Sequence, residues 1–548
     1  MRRKFSYKLI LVFLLLSLVL YFSGGCGGGG GGSSGGGDVV DDGLDDGSDG
    51  GSGGGDGGSG GGGGDGGSGG GGGVGLVFYV EGEMGPVSKC FPIKNNVISI
   101  DPGTYRIVHD PTRINDNHND PHFAIENRKN ITIIAEDVEF IFTEVRDGLI
   151  FYNCSNVTLD GLTLRYSVPF HTQGVVTSVG SNSVEFKIDD GYPNLDELPG
   201  TGYMGVVWDK NLGRQKAGTD HLHNTELTKL NCFTGVNETG IVNGDTIVIR
   251  NLEIDPRTLI STGSENLTIQ NVTVFDGGFA YMEDTGKGGH RYINCKVKVG
   301  AKPVGAAAER ILSTAADAFH SNCMERGPII ENCEFENMGD DGVNIHGPYV
   351  EALEKNGNKI IVIAEPTIWT DPFLEGDTMK AYNKQSNKLE EAGAVMTPVK
   401  SLGIIKPTVV DPTAYCFKQA NKKNKYKYFE LTLTQADKVN SGNLLYSPNR
   451  IGAGFKIKNT RVRNNCARGF LIKSQNGTIE NCEIDGSSMY GIQFDAELET
   501  YWAEAFIPRD VTATGNIIVN TGNRIGYNVP RGIYISQEAI NNNILVIP

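Results

Sequence analysis

Short β-prone segments recur along this chain with a turn residue at the same place in each. Asn156-Val-Thr-Leu-Asp-Gly161-Leu-Thr-Leu aligns with Asn266-Leu-Thr-Ile-Gln-Asn271-Val-Thr-Val. Gly327-Pro-Ile-Ile-Glu-Asn332-Cys-Glu-Phe aligns in the same way with Asn476-Gly-Thr-Ile-Glu-Asn481-Cys-Glu-Ile. Each holds an alternating strand, one Gly or Asn, and a second alternating strand. Gly and Asn are the residues that tolerate a left-handed backbone at a bend. The bend asparagines repeat after 23 residues (Asn271 to Asn294) and after 22 (Asn459 to Asn481). A period in the twenties with several short strands per unit specifies a solenoid, and the leucine ladder of leucine-rich repeats is absent. The pattern predicts an all-β fold, a right-handed parallel β-helix whose coils stack about 4.8 Å apart.

Two stretches break the period. Residues 168–262 hold Gly174-Val-Val-Thr-Ser-Val and Ser183-Val-Glu-Phe-Lys-Ile; residues 347–452 hold Lys359-Ile-Ile-Val-Ile and Phe429-Glu-Leu-Thr-Leu. Both read as β-rich, barrel-like insertions between coils, placed to wall a site on an otherwise flat solenoid face.

The N-terminal end has a different logic. Arg2, Arg3, Lys4 and Lys8 precede an apolar run from Leu9 to Phe22, too short to span a membrane and suited to a signal peptide. Ser23-Gly-Gly-Cys26 follows, an order that resembles a bacterial lipoprotein signal with Cys26 as the lipidated residue, although Ser23 stands where that pattern has Leu. Plain secretion is the simpler alternative. Residues 26–75, nearly all Gly, Asp and Ser, have too little apolar surface to pack and read as a flexible tether. The expected organisation is therefore a signal at 1–25, a tether at 26–75 and a folded body at 76–548. The product would be exported to a bacterial surface or periplasm, held to a membrane only through a lipid. A net charge of −16 argues against a nucleic-acid partner.

Of ten cysteines, seven follow an asparagine: Cys154, Cys232, Cys295, Cys323, Cys333, Cys466 and Cys482. The shared context suggests one repeated structural slot filled by buried free thiols. No Cys/His spacing suggests zinc.

The most informative acids lie in Asp317-Ala-Phe-His320 and Gly339-Asp340-Asp341-Gly-Val-Asn344-Ile-His346-Gly347. Asp317 and Asp340 are 23 residues apart, which puts them on adjacent coils with Asp341 beside them. Three carboxylates in one patch repel each other, so at least one should hold its proton near neutral pH. A protonated acid beside ionised ones is what hydrolysis of a glycosidic bond requires. A Gly-Asp-Asp-Gly string is also a common polar turn, carboxylate clusters on β-helices also bind calcium as in pectate lyases, and His320 and His346 also fit a structural role.

The stretch from Asp317 through Gly347, with Asn322-Cys-Met-Glu-Arg-Gly-Pro328 inside it, resembles glycoside hydrolase family 110. That resemblance extends more weakly over much of 76–548. It implies a β-helix with inserted barrels and an exo-acting α-1,3-galactosidase that removes terminal galactose, including that of the blood group B determinant. It also implies inversion of configuration without a metal or other cofactor, and three active-site aspartates at Asp317, Asp340 and Asp341. The partner would be a galactose-terminated oligosaccharide or glycoconjugate. Polygalacturonases are a more distant likeness; their Gly-His-Gly and Arg-Ile-Lys are missing here, and Asn344-Ile-His346-Gly347 is a partial echo. By that analogy Asp340 is the general acid, while Asp317 and Asp341 hold the water; the reverse assignment fits as well, because the sequence does not show which side chain faces the leaving oxygen. An inverting pair needs room for that water, which places Asp341 away from Asp340.

Candidates to contact sugar are His320, His346, Arg468, Lys473, Asp495 and Glu504, with Trp502, Trp208, Tyr490 and Tyr281 able to stack on a pyranose face. Competing readings are another β-helix polysaccharide-degrading enzyme, a calcium-dependent lyase, or a non-catalytic glycan-binding surface protein.

Overall fold

In the computed structural model, residues 75–548 are described except for 84, 111–119, 199–201, 225–230, 237–239, 252–255, 365–371, 404–426, 499–502, 528, 530–531, 541 and 548. The signal, the tether with Cys26, and Trp502 lie outside the described residues.

Three stacks of mostly parallel strands run through the body, and each coil contributes one strand to each stack. The coil containing the Asp317 segment shows the pattern. Phe319–Arg326 lies in a front sheet, Ile329–Glu331 in a second and Glu334–Glu336 in a third, and the chain then returns to the front with Val343–Asn356. Among the described residues, nine such strands make the front stack, from Phe123–Glu126 to Ile533–Ile535, while the second sheet has ten strands and the third eleven. This is a parallel β-helix, as the repeat predicts. At its N-terminal end Leu76–Val80 pairs antiparallel with both Val87–Phe91 and Gly103–Val108, so a hairpin covers that edge.

The sequence builds the coils through alternation. In the three-residue strands of the second sheet the middle side chain points inward and its neighbours outward. Ile133, Leu159, Ile269, Tyr292, Ile330 and Ile457 form one such column, each at most 1% exposed. Burying each is worth roughly 1.5–3 kcal/mol. The corner between second and third sheets is made by a left-handed residue: Gly161, Asn271, Asn294, Asn332, Asn459 and Asn481 all have φ between 49° and 77°. Their amides form a ladder along the helix axis. Asn271 donates to Asp160 at 2.7 Å, Asn294 to Asn271 at 2.6 Å and Asn459 to Asn332 at 3.1 Å.

The cysteines divide among several places, a correction to the single slot expected. Cys295, Cys333 and Cys482 follow the left-handed asparagine at this corner, and each thiol donates to a backbone carbonyl of the preceding coil. Cys154 occupies the front-to-second corner, Cys232 an inserted strand, and Cys323 and Cys466 other buried positions. All seven are free and buried, whereas Cys90 is exposed.

Both insertions are antiparallel. The first runs from His171–Val179 to Thr246–Asn251 around its own core of Val176, Phe186, Leu195, Val207, Phe233 and Ile247. It ends before the expected residue 262, because Arg257–Glu265 pairs parallel with Leu149–Tyr152 and Phe279–Gly288 and so belongs to the coils. The second insertion grows out of the front sheet itself. Val343–Asn356 pairs parallel with its coil neighbours over Val343–His346, then antiparallel with Leu444–Tyr446 and Lys359–Ala364 from Tyr349 onward.

Candidate active site

The outward positions of the front strands stack into columns, and the polar candidates occupy them. His320 lies beside Asn344, and Asn322 beside His346. Asn344 in turn lies beside Leu471, and Leu471 beside Gln493. The pairing offset between the two acid-bearing coils is 24 residues, Phe319 opposite Val343. This corrects the expected pairing of Asp317 with Asp340 by one residue. Asp341 is the acid in step with Asp317: its amide donates to Asp317 Oδ1 at 3.0 Å, and its carbonyl accepts from Ala318. Asp340 sits one position earlier, at the turn, where its backbone carbonyl accepts from Asn465 at 2.9 Å.

The three aspartates nevertheless converge, with carboxylate oxygens within 4.8 Å of one another. The expected wider gap between Asp340 and Asp341 is therefore absent; flanking Gly339 and Gly342 pack against backbone of the adjoining coils, which leaves the turn no room to splay. Their surroundings differ sharply. Asp317 and Asp341 side chains are 6% and 2% exposed, whereas Asp340 is 31% exposed. Every oxygen of the two buried acids is engaged. Asp317 Oδ2 meets His320 Nδ1 at 2.8 Å, Asp341 Oδ1 accepts from the Arg468 amide at 2.7 Å, and Asp341 Oδ2 meets the Arg468 guanidinium at 3.1 Å. Burial pushes the Asp317 carboxyl up, and the His320 hydrogen bond opposes this. Burial likewise pushes Asp341 up, opposed by the Arg468 charge.

Asp340 is held by a residue the sequence reading missed. Arg250 Nη2 donates to Asp340 Oδ2 at 2.6 Å, and it comes from the last strand of the first insertion. Its signal was an arginine inside the otherwise apolar run Thr246-Ile-Val-Ile-Arg250. Glu497 was missed as well: Lys473 Nζ lies 2.6 Å from both Glu497 and Glu504.

The remaining candidates sort by position. His320, His346, Arg468, Lys473 and Glu504 join the acid cluster through a continuous network; His346 Nε2 is 2.9 Å from His320 Nε2 and 3.8 Å from Glu504. Asp495 accepts from Gln493 Nε2 and from the Glu497 amide, finishing the strand that carries Gln493. Tyr490 is half-buried and stacks on Tyr534 at 4.7 Å. Tyr281 and Trp208 are buried, in the helix core and against Met204 and Cys466 respectively, and so offer no face to a sugar. A cavity of about 500 Å³, lined by Lys129, Asn153, Thr285, Lys287, Glu325 and Arg450, opens near the far end of these strands and includes none of the three acids.

Among the described residues, two groups have metal-ligating atoms close together: Asp317, Asp340 and Asp341, and His320, His346 and Glu504. Neither donor set suits a cation well. The acids already face Arg250, Arg468 and His320, and the Lys473 ammonium sits against Glu504.

Fold and site together define a β-helix protein with three convergent carboxylates at the turns that enter one sheet, two buried and one reached by solvent. No family model matches the chain. Curated relatives are α-1,3-galactosidases, in keeping with the resemblance to glycoside hydrolase family 110. The chain is 22% identical over 425 residues to alpha-1,3-galactosidase B of Akkermansia muciniphila, covering 72% of this chain and 48% of that one. It is 24% identical over 266 residues to alpha-1,3-galactosidase A of Shewanella woodyi, covering 44% and 42%. The matched part spans about half or less of these relatives. Among solved structures, a mannuronan C-5 epimerase A-module of Azotobacter vinelandii aligns over 82% of this chain and 86% of its own, with TM-score 0.29 and 9% identity.

Proposed function

We propose that this chain is a glycoside hydrolase releasing terminal α-1,3-linked galactose from oligosaccharides, blood group B-type or linear, with inversion. The observation that carries the reading is the convergence of Asp317, Asp340 and Asp341 with unequal exposure. In this reading Asp340, which solvent reaches, protonates the departing glycosidic oxygen. Asp317 and Asp341 have each oxygen committed to a fixed donor, which suits holding and deprotonating a water better than attacking carbon. That saturation favours inversion even though the nearest-oxygen spacing is below the roughly 6.5–9.5 Å between carboxyl groups usual for inverting pairs. The relatives named α-1,3-galactosidase support the choice of sugar and linkage.

Incubation with an α-1,3-galactosyl oligosaccharide should yield free galactose, and proton NMR before mutarotation should show the β-anomer first. No galactose would refute the activity; α-galactose first would refute inversion alone. We further propose export with acylation at Cys26. Wild-type protein should then partition into detergent, and Cys26→Ser should move it to the aqueous fraction.

A further inference from the structure

From Asp317 to Gly347 the site contains a chain of three hydrogen bonds running through two imidazoles. Asp317 Oδ2 meets His320 Nδ1 at 2.8 Å, His320 Nε2 meets His346 Nε2 at 2.9 Å, and His346 Nδ1 meets the carbonyl of Gly347 at 3.0 Å. Each gap needs one proton. The carbonyl only accepts, so His346 must donate from Nδ1, and its Nε2 is then a lone pair. That lone pair faces His320, so His320 must donate from Nε2. The last gap, between His320 Nδ1 and Asp317, needs a third proton. Two neutral imidazoles carry only two.

We infer that the His320–His346 pair holds this third proton as a His320 imidazolium, making the two histidines positioning residues that keep Asp317 ionised to receive water. The inference rests on the glycosidase reading of the acids. Placing the proton on His320 follows from what surrounds it. Burial and the Asp340 charge push the Asp317 carboxyl up, but its Oδ1 accepts the Asp341 amide while its Oδ2 meets His320, and a carboxylate accepting two bonds is favoured in its charged form; the hydrogen-bond geometry decides the placement. Asp317, Glu504 and Asp284 act on His320 with negative charge. His346 is the partner that stays neutral. Burial drives it down to about 4, with Glu504 opposing and His320 and Lys473 reinforcing the shift. Burial is the largest single influence on His320 and works against its charge, but the Asp317 hydrogen bond and the negative charges of Asp317, Glu504 and Asp284 together outweigh it, and the net direction is upward. Deprotonating the pair leaves either two lone pairs facing each other or a lone pair facing the Asp317 carboxylate. On an aryl galactoside, whose leaving group needs little protonation from Asp340, the alkaline limit of the reaction is then the loss of this proton.

The direct test is ¹⁵N NMR of histidine-labelled protein without substrate. At pH 7 His320 should have both ring nitrogens protonated and His346 only Nδ1; a neutral His320 would overturn the inference. The kinetic test compares two variants at His346. His346→Gln keeps an acceptor for His320 and should leave the alkaline limb of kcat in place, whereas His346→Leu removes it and should move that limb down by about one pH unit. A purely structural role predicts a uniform fall in kcat with an unmoved limb, and that result refutes the proposal. So does activity abolished by a chelator and restored by zinc, which would put a cation between the two Nε2 atoms. If no galactose is released, the glycosidase reading fails while the NMR result still decides the protonation.

Discussion

Asp340 and Asp341 are neighbours in sequence with opposite situations, and their substitutions should behave differently. On an aryl galactoside with a good leaving group, little protonation is needed. Asp317→Asn and Asp341→Asn should then lower kcat by about 10²–10⁴-fold, the usual span for acid–base groups. Asp340→Asn should lose at least tenfold less on that substrate, and as much as the others on a natural galactoside. Steady-state rates on both substrates check this. Asparagine is the right substitution at Asp341, because its oxygen still accepts from Arg468, whereas alanine removes the acceptor of both the Arg468 amide and its guanidinium, at a cost of about 3–5 kcal/mol. The three acids and both histidines were legible in the sequence because they fall in one long motif. Their register was misread by one residue, since the excursion at 337–342 carries one residue more than the Asn271–Asn294 repeat supplies. Arg250 belongs to an insertion 90 residues upstream, and no spacing rule joins it to Asp340.

At the scale of the corner, Asn332 tests why the repeat reads as it does. Its φ of 57° is a region where a Cβ-bearing residue loses about 1–2 kcal/mol, and its side chain also accepts from Asn459. Asn332→Ala should lower the midpoint of denaturant unfolding by an amount equivalent to about 1–2 kcal/mol, whereas Asn332→Gly should recover the backbone part and lose only the ladder bond. Equal effects from the two would mean that the amide ladder, and not the left-handed backbone, explains the asparagine. The coils were legible because this bend constraint is local and repeated. The end of the first insertion was not, because Arg257–Glu265 has the same β-prone composition as the inserted strands. What makes it a coil strand is parallel pairing with Phe279–Gly288, a long-range fact that composition does not carry.

Across the whole molecule, the helix interior contains polar groups whose titration ties stability to pH. Glu283 points into the core between coils, fully buried, and accepts from Ser321 at 2.8 Å. Burial pushes its carboxyl up to about 8, with Ser321 and Tyr292 opposing. A folded value above the unfolded one means that the folded state binds the extra proton. The associated stability is complete below about pH 4.5 and is lost as pH rises toward 8, by at most about 1.4 kcal/mol per unit. His290 and His122 act at the other end. The Leu267 amide donates to His290 Nδ1, the Glu144 amide donates to His122 Nε2, and burial lowers the two rings to about 3 and about 4. Both must fold neutral, so they cost stability below about pH 6.5. The fold is therefore weakened from both sides by different residues, and one substitution separates them. Glu283→Gln, neutral at every pH, should flatten the decline in Tm between about pH 5 and 8 by several degrees, and should leave the decline below about pH 4.5, which belongs to the histidines, unchanged. A variant whose Tm falls with alkaline pH as steeply as the wild type would show that Glu283 is already ionised in the core, with its charge met by a group other than Ser321.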